Sequence, residues 1–173
     1  MPNSKEPSTI TFKMDKPNME VLLATADLGA LAFSYGDRVF PDKGDAGINF
    51  SLSVDQVAER VVESFEENDQ KVYLTNADYI ILLIAIRGAF EAFMSLSKGG
   101  IQRMLTMSGD SFVEINYERV DRKKMAHTAH ILLDFLECHA SQEVLSMWIE
   151  ERRNASITML DKVTDSYEKN DQK

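Results

Sequence analysis

Residues 79–96 read YIILLIAIRGAFEAFMSL, the most apolar stretch of the chain. Arg87, Gly88 and Glu91 interrupt it, whereas a membrane span needs about 20 predominantly apolar residues with few charges. A helix that is apolar on nearly every side is typical of the centre of a soluble protein. The stretch therefore predicts a central core helix.

Both ends of this core helix carry capping residues. Thr75 or Asn76 suits the N-terminus, because a short polar side chain there accepts a hydrogen bond from the first turn. We expect the helix to run to Ser97 and to stop at Lys98-Gly99-Gly100, since glycine readily adopts the left-handed conformation found at helix C-termini.

Several other segments also indicate helices. Residues 19–35 are mostly apolar and predict a helix, although no single period dominates. Asp121 is the expected N-cap of a helix over residues 122–138, and Ser141 caps a last helix that extends to about residue 167 if it continues unbroken.

The segment 54–67 predicts an amphipathic helix with a strongly acidic outer face. Ser53 is its expected N-cap, with Gln56 in the reciprocal capping-box position. The residues expected on its buried face are Val54, Val57, Ala58, Val61, Val62 and Phe65.

Alternation of polar and apolar residues predicts short strands at 9–14 and 48–52 and a hairpin near 101–118. Residues 36–47 are rich in turn formers and predict a loop, and 71–75 is an extended connector or a strand. We therefore expect an α+β fold in which four or five helices dominate a small antiparallel sheet that includes the hairpin. The alternative is an all-α bundle with an appended hairpin.

The length of 173 residues suits one domain. We assign a disordered N-terminus to residues 1–7, a single globular domain to 8–167 and a frayed tail to 168–173. Cys138 is the only cysteine, and no hydrophobic signal core precedes the domain. These features predict a soluble, cytoplasmic protein without a disulfide or a membrane anchor.

The charge balance is strongly acidic. Asp and Glu outnumber Lys and Arg by 28 to 19, for a formal net charge of −9. Such a surface repels nucleic-acid phosphates and anionic lipid headgroups. We therefore expect no direct nucleic-acid binding and no membrane binding, and we favour a basic protein partner.

The acidic helix concentrates this charge at four-residue intervals. Like charges four residues apart destabilise a helix by roughly 0.2–0.5 kcal/mol per pair, and glutamates in the last turn also oppose the helix dipole. A helix selected only for stability would carry Lys or Arg there. The candidate partner-binding residues are Asp55, Glu59, Glu63, Glu66 and Glu67.

A second candidate site lies on the helix over residues 122–138. His127, His130 and Asp134 share one face of that helix, with Cys138 near it, and these are ligand types that a transition metal prefers. An ordinary surface pair of His and Asp four residues apart explains the pattern equally well. No motif of known metal-binding spacing supports the metal, so we expect no cofactor.

A third candidate is a polar pocket in the core. Arg87 and Glu91 lie within the apolar core helix, where charges must pair or reach water. Arg152, on the apolar face of the last helix, is a third member of this candidate ligand pocket. The alternative is a structural network of ion pairs.

The sequence favours a non-catalytic acidic binding protein that occludes a basic site on a protein partner. Inhibitors, immunity-type proteins, adaptors and nucleic-acid mimics all belong to this class. One alternative is a metal-binding protein or enzyme that uses the face of His127, His130 and Asp134. Another is a structural subunit of a homo-oligomer, in which the acidic helix meets a basic cluster across copies. This basic cluster consists of Arg119, Arg122, Lys123 and Lys124.

Overall fold

The computed structural model describes residues 9–39, 46–96, 99 and 121–150. Within these ranges the chain forms five helices and a two-stranded antiparallel sheet, which confirms the predicted helix-dominated α+β fold. The elements are β1 (Thr9–Lys13), α1 (Lys16–Val39), α2 (Ala46–Glu67), β2 (Lys71–Thr75), α3 (Asn76–Ser95), α4 (Arg122–His139) and α5 (142–150).

The central helix is α3, as its sequence predicts. It packs against both α1 and α4, and α2 packs mainly against α1. Thr75 caps its N-terminus by accepting a hydrogen bond from the backbone N–H of Asp78. The side chains of α3 that are fully buried in the core are Tyr79, Leu82, Leu83, Ala85 and Ile86.

Two glycines allow α1 and α3 to approach closely. A Cβ atom on Gly29 would lie 1.7 Å from the backbone oxygen of Ala85, and one on Gly88 would lie 2.8 Å from Cε2 of Phe33. No other residue fits at position 29 unless the two helices separate. This contact sets the spacing of the α1–α3 pair.

The C-terminus of α3 differs from the prediction. The helix ends at Ser95 rather than Ser97, and its C-cap, Leu96, is extended rather than left-handed. The side chain of Arg122 donates from Nε and Nη2 to the carbonyl oxygen of Phe93, both at 3.2 Å. A side chain from α4 thus satisfies a terminal carbonyl of α3. The predicted glycine cap at 98–100 was wrong, because α3 ends before these residues.

The start of α2 is a second correction. Residues 48–52 are helical rather than a strand, and Ser53 is an interior residue whose hydroxyl donates to the carbonyl oxygen of Asn49. Phe50 packs its ring against Phe33 of α1, with centroids 4.9 Å apart. Phe50 and Val54 are one helical turn apart, so the apolar residues of this short stretch fit a helical period as well as an alternating one. The contact of Phe50 with α1 favours the helix.

The loop predicted at 36–47 was wrong at both of its ends. Helix α1 continues through Gly36 to Val39, and α2 begins at Ala46. Asp15 caps α1 by accepting a hydrogen bond from the backbone N–H of Asn18.

Three predicted features lie outside the described residues. They are the hairpin at 101–118, the disordered N-terminus at 1–7 and the part of the last helix beyond residue 150.

The sheet pairs the two strands that flank the α1–α2 unit. Its register places Ile10 opposite Leu74 and Phe12 opposite Val72, and these four side chains are buried against the helices. The strand predicted at 9–14 is thereby confirmed, and residues 71–75, predicted as an extended connector or a strand, form a strand. The other face of the sheet exposes Thr11 and Tyr73.

The later helices begin where their capping residues predict. Asp121 accepts from the backbone N–H groups of Lys123 and Lys124, and the hydroxyl of Ser141 accepts from Val144. Trp148 on α5 is buried, and its indole N–H donates to the Glu137 carboxylate at 2.8 Å. This hydrogen bond ties α5 to α4.

Candidate functional site

The most strongly charged surface of the described chain lies on α2. We call the residues Asp55, Glu59, Glu63, Glu66 and Glu67 the acidic stripe. All five are exposed, whereas Val54, Val57 and Val61 on the same helix are fully buried. The apolar side of α2 thus faces the core, and the acidic stripe faces away from it.

The one arginine within this part of α2 does not neutralise the acidic stripe. Arg60 forms a two-pronged ion pair with Asp78 at the start of α3, with Nη2–Oδ1 and Nε–Oδ2 distances of 2.8 and 3.0 Å. Paired bonds of this geometry hold the guanidinium in one orientation. Arg60 therefore links α2 to α3, and its positive charge is directed to the carboxylate of Asp78.

The glutamates of the acidic stripe also lack cationic partners nearby. Among the described residues, no Lys or Arg nitrogen lies within 4.0 Å of the carboxylates of Glu59, Glu63, Glu66 or Glu67. These four carboxylates are therefore exposed to water without a cation from the described chain beside them. Such a surface produces a negative potential that extends into solvent.

Helix α1 adds to the same acidic surface. The pKa of Asp27 is raised above its ordinary value, first by desolvation of its carboxyl and second by the nearby charge of Asp55. Glu20 is exposed and lies seven residues before Asp27, which places both on one face of α1. The negative surface consequently spans both helices.

The contribution of α1 was not predicted from the sequence. The seven-residue spacing of Glu20 and Asp27 was a signal of a shared face, but the two carboxylates are separated by an otherwise uncharged stretch. Only the packing of α1 against α2 brings Asp27 close to Asp55.

The histidine face of α4 is a surface pair in the structure. Nε2 of His130 lies 3.5 Å from Oδ2 of Asp134, and both side chains are more than half exposed. His127 and Cys138 are exposed as well. Within the described ranges, no three His, Cys, Asp or Glu side chains are arranged to hold a metal ion.

The charges within α3 form a largely buried ion pair. Arg87 pairs with Glu91 one turn later, and its guanidinium carbon lies 5.0 Å from the ring centroid of Phe90. The ion pair and the ring together accommodate a positive charge in an apolar region. Arg152, the third residue of the predicted pocket, lies outside the described residues.

Comparisons with known proteins find no relative for this chain. No family model matches it, and neither the curated proteins nor the solved structures provide a match.

None of the described helices combines the length and the apolar character that crossing a bilayer needs.

Proposed function

We propose that this protein is a small acidic binding protein without catalytic activity, whose acidic stripe occludes a basic site on a protein partner. The class includes inhibitors, immunity-type proteins, adaptors and nucleic-acid mimics. The observation that carries the proposal is the exposure of Glu59, Glu63, Glu66 and Glu67 without a cation from the described chain beside them.

The energetics of α2 support a role outside the chain. Like charges at four-residue spacing and glutamates in the last turn both lower helix stability. The nearby Arg60 is held by Asp78, so the fold does not use it to offset this repulsion. A basic partner would remove the repulsion on binding, which makes association more favourable for a cationic surface than for a neutral one.

The proposed mechanism is electrostatic steering followed by occlusion. A surface of one charge sign accelerates the encounter with an oppositely charged partner, and the acceleration weakens as salt screens the charges. The packed α1–α2 pair then presents the carboxylates on one surface. Complementary charges contribute mainly to association rate and to choice of partner.

The test compares two variants that change the net charge equally. Glu63→Gln/Glu67→Gln removes two of the five charges of the acidic stripe, and Asp134→Asn/Glu150→Gln removes two exposed charges on α4 and α5. Tagged wild-type protein captures its partner from host lysate at low salt, the partner is identified by mass spectrometry, and its affinity for each purified variant is measured.

We expect the stripe variant to bind about tenfold more weakly or worse, while the control variant binds like the wild type. Affinity should also fall with rising salt, and less steeply for the stripe variant. Equal affinities of the two variants, or a partner whose release does not depend on salt, would refute the proposal.

A further inference from the structure

The outer edge of β2 is covered by α2. The hydroxyl of Ser64 donates to the carbonyl oxygen of Lys71 at 3.1 Å and accepts from the backbone N–H of Tyr73 at 2.8 Å. These backbone groups of Lys71 and Tyr73 therefore point away from β1. In an antiparallel pair the direction alternates along each strand, so Val72 and Leu74 are the residues that bond to β1.

The register of the two strands gives the directions of the backbone groups on β1. Val72 and Leu74 lie opposite Phe12 and Ile10, which are therefore the hydrogen-bonded positions of β1. The N–H and C=O groups of Thr11 consequently point away from β2. Within the part of the chain that the structure describes, no group hydrogen-bonds to Thr11 on this outer edge.

Among the described residues, no strand pairs with this edge of β1, and an unpaired strand edge is a template for a further strand. Thr11, at the centre of β1, is exposed, and the strand carries no proline or acidic residue. We propose that β1 is a homodimer interface, in which the outer edges of two copies pair antiparallel about a two-fold axis at Thr11. The product is a four-stranded sheet in which the two β1 strands are central.

The cross-strand pairs of this arrangement are mutually compatible. Thr11 meets Thr11 of the partner subunit, and Thr9 meets Lys13 of the partner subunit, so no like charges lie opposite each other. On the core side, Ile10 lies beside Phe12 of the partner subunit. Threonine pairs and pairs of aromatic with β-branched residues both stabilise antiparallel strands.

The distribution of charge favours the same edge. Two copies that each carry a net charge of −9 repel each other, so they associate most readily where the acids are distant. The acidic helix α2 covers the outer edge of β2 through Ser64. The strand β2 therefore separates α2 from the pairing edge, which itself carries Lys13 and no acid.

The test is sedimentation equilibrium of the full chain over a wide concentration range, with Thr11→Pro as the main variant. Because the N–H of Thr11 points away from β2, proline removes no bond between β1 and β2, but it blocks the central pair of the dimer. We expect a wild-type dimer whose dissociation constant rises about tenfold or more in Thr11→Pro. Thr11→Val keeps the N–H and should dimerise like the wild type.

A second variant tests the same interface in case Thr11→Pro does not fold. Thr11→Glu retains the backbone N–H and is exposed in the monomer, but it places two carboxylates opposite each other on the two-fold axis. It should also weaken the dimer. Hydrogen exchange should show that the amide of Thr11 is protected only at concentrations where the dimer forms, whereas that of Phe12 is protected throughout.

Three results would overturn the proposal. One is a wild-type chain that stays monomeric at all concentrations. Another is a dimer that Thr11→Pro and Thr11→Glu leave equally stable, which would place the interface on another surface. The third is an amide of Thr11 that is already protected in the dilute monomer, since its partner would then belong to the same chain. None of these results affects the proposed role of the acidic stripe.

Discussion

At the scale of single residues, Gly29 has the strongest steric requirement. Its absent Cβ would overlap the backbone of Ala85, which cannot rotate away, whereas the Cβ of Gly88 would meet the end of the Phe33 side chain, which can. We expect Gly29→Ala to lower the free energy of unfolding by about 3 kcal/mol or more, because overpacking separates α1 from α3. Gly88→Ala should cost at most about 1 kcal/mol, since alanine also favours the helix.

Urea unfolding followed by circular dichroism measures both glycine variants, and each serves as the control for the other. Equal midpoints for the two variants would contradict the close contact at Gly29. The steric difference lies in the tertiary structure alone, because both glycines occupy interior positions of apolar helices and look alike in the sequence.

At the scale of elements, the turn from α2 to β2 contains the 6→1 hydrogen bond of a Schellman motif but no glycine. The N–H of Gln70 bonds to the carbonyl oxygen of Phe65, and Asp69 and Gln70 are both left-handed, with φ values of 52° and 67°. Glycine is the favoured residue at that position, since a left-handed conformation costs other residues roughly 1–2 kcal/mol. The carboxylate of Asp69 also lies near the negative end of the helix dipole.

We therefore expect Asp69→Gly to stabilise the protein by about 1 kcal/mol, or roughly 3 °C in melting temperature for a chain of this length. The matched control is Gln56→Gly, which places glycine at an exposed interior position of the same helix and should destabilise it by about 1 kcal/mol. Thermal unfolding of both variants gives the comparison. A lower melting temperature for Asp69→Gly would show that its side chain supports the turn.

At the scale of the whole molecule, the acidic surface formed by α1 and α2 makes stability depend on pH. The folded-state pKa of Asp27 is raised by desolvation and by Asp55, so its contribution to stability is present below the unfolded value of 3.8 and is lost as pH rises through the folded value. Asp27→Asn should therefore stabilise the protein at pH 7 relative to the wild type. This gain should vanish at acidic pH, where the wild-type carboxyl is protonated.

Carboxyl NMR titration checks the cause directly. Replacement of Asp55 by Asn should lower the pKa of Asp27 part of the way toward 3.8, because desolvation is the larger cause and persists. An unchanged pKa of Asp27 in Asp55→Asn would show that the two helices do not share one acidic surface.

The local patterns of the chain predicted most elements correctly. The caps at Thr75, Asp121 and Ser141, the strand at 9–14 and the buried face of α2 follow from residue type and spacing, which act over a few neighbouring positions. The same local reasoning failed at 48–52, where five residues fit both a helical and an alternating period, and at 98–100, where glycine was expected to end the core helix.

The candidate sites also contain features that the sequence predicts and features that only the folded chain shows. The acidic stripe is visible in the sequence because its residues share one helix, whereas the pairing of Arg60 with Asp78 and the proximity of Asp27 to Asp55 join residues that are distant along the chain. Residue spacing says nothing about such contacts, since they depend on how helices pack. The outward direction of the backbone groups of Thr11 likewise follows only from the register of β1 with β2 and from the hydrogen bonds of Ser64.

The sequence by itself determined the α+β class, the central helix and the exposure of the acidic stripe, because periodic burial of apolar side chains sets each of these locally. Tertiary structure alone decided the start of α2, the end of α3, the close crossing at Gly29 and the spread of negative charge onto α1. The physical reason is that each of these results from a contact between separate elements, whose energy depends on distances that exist only in the folded chain.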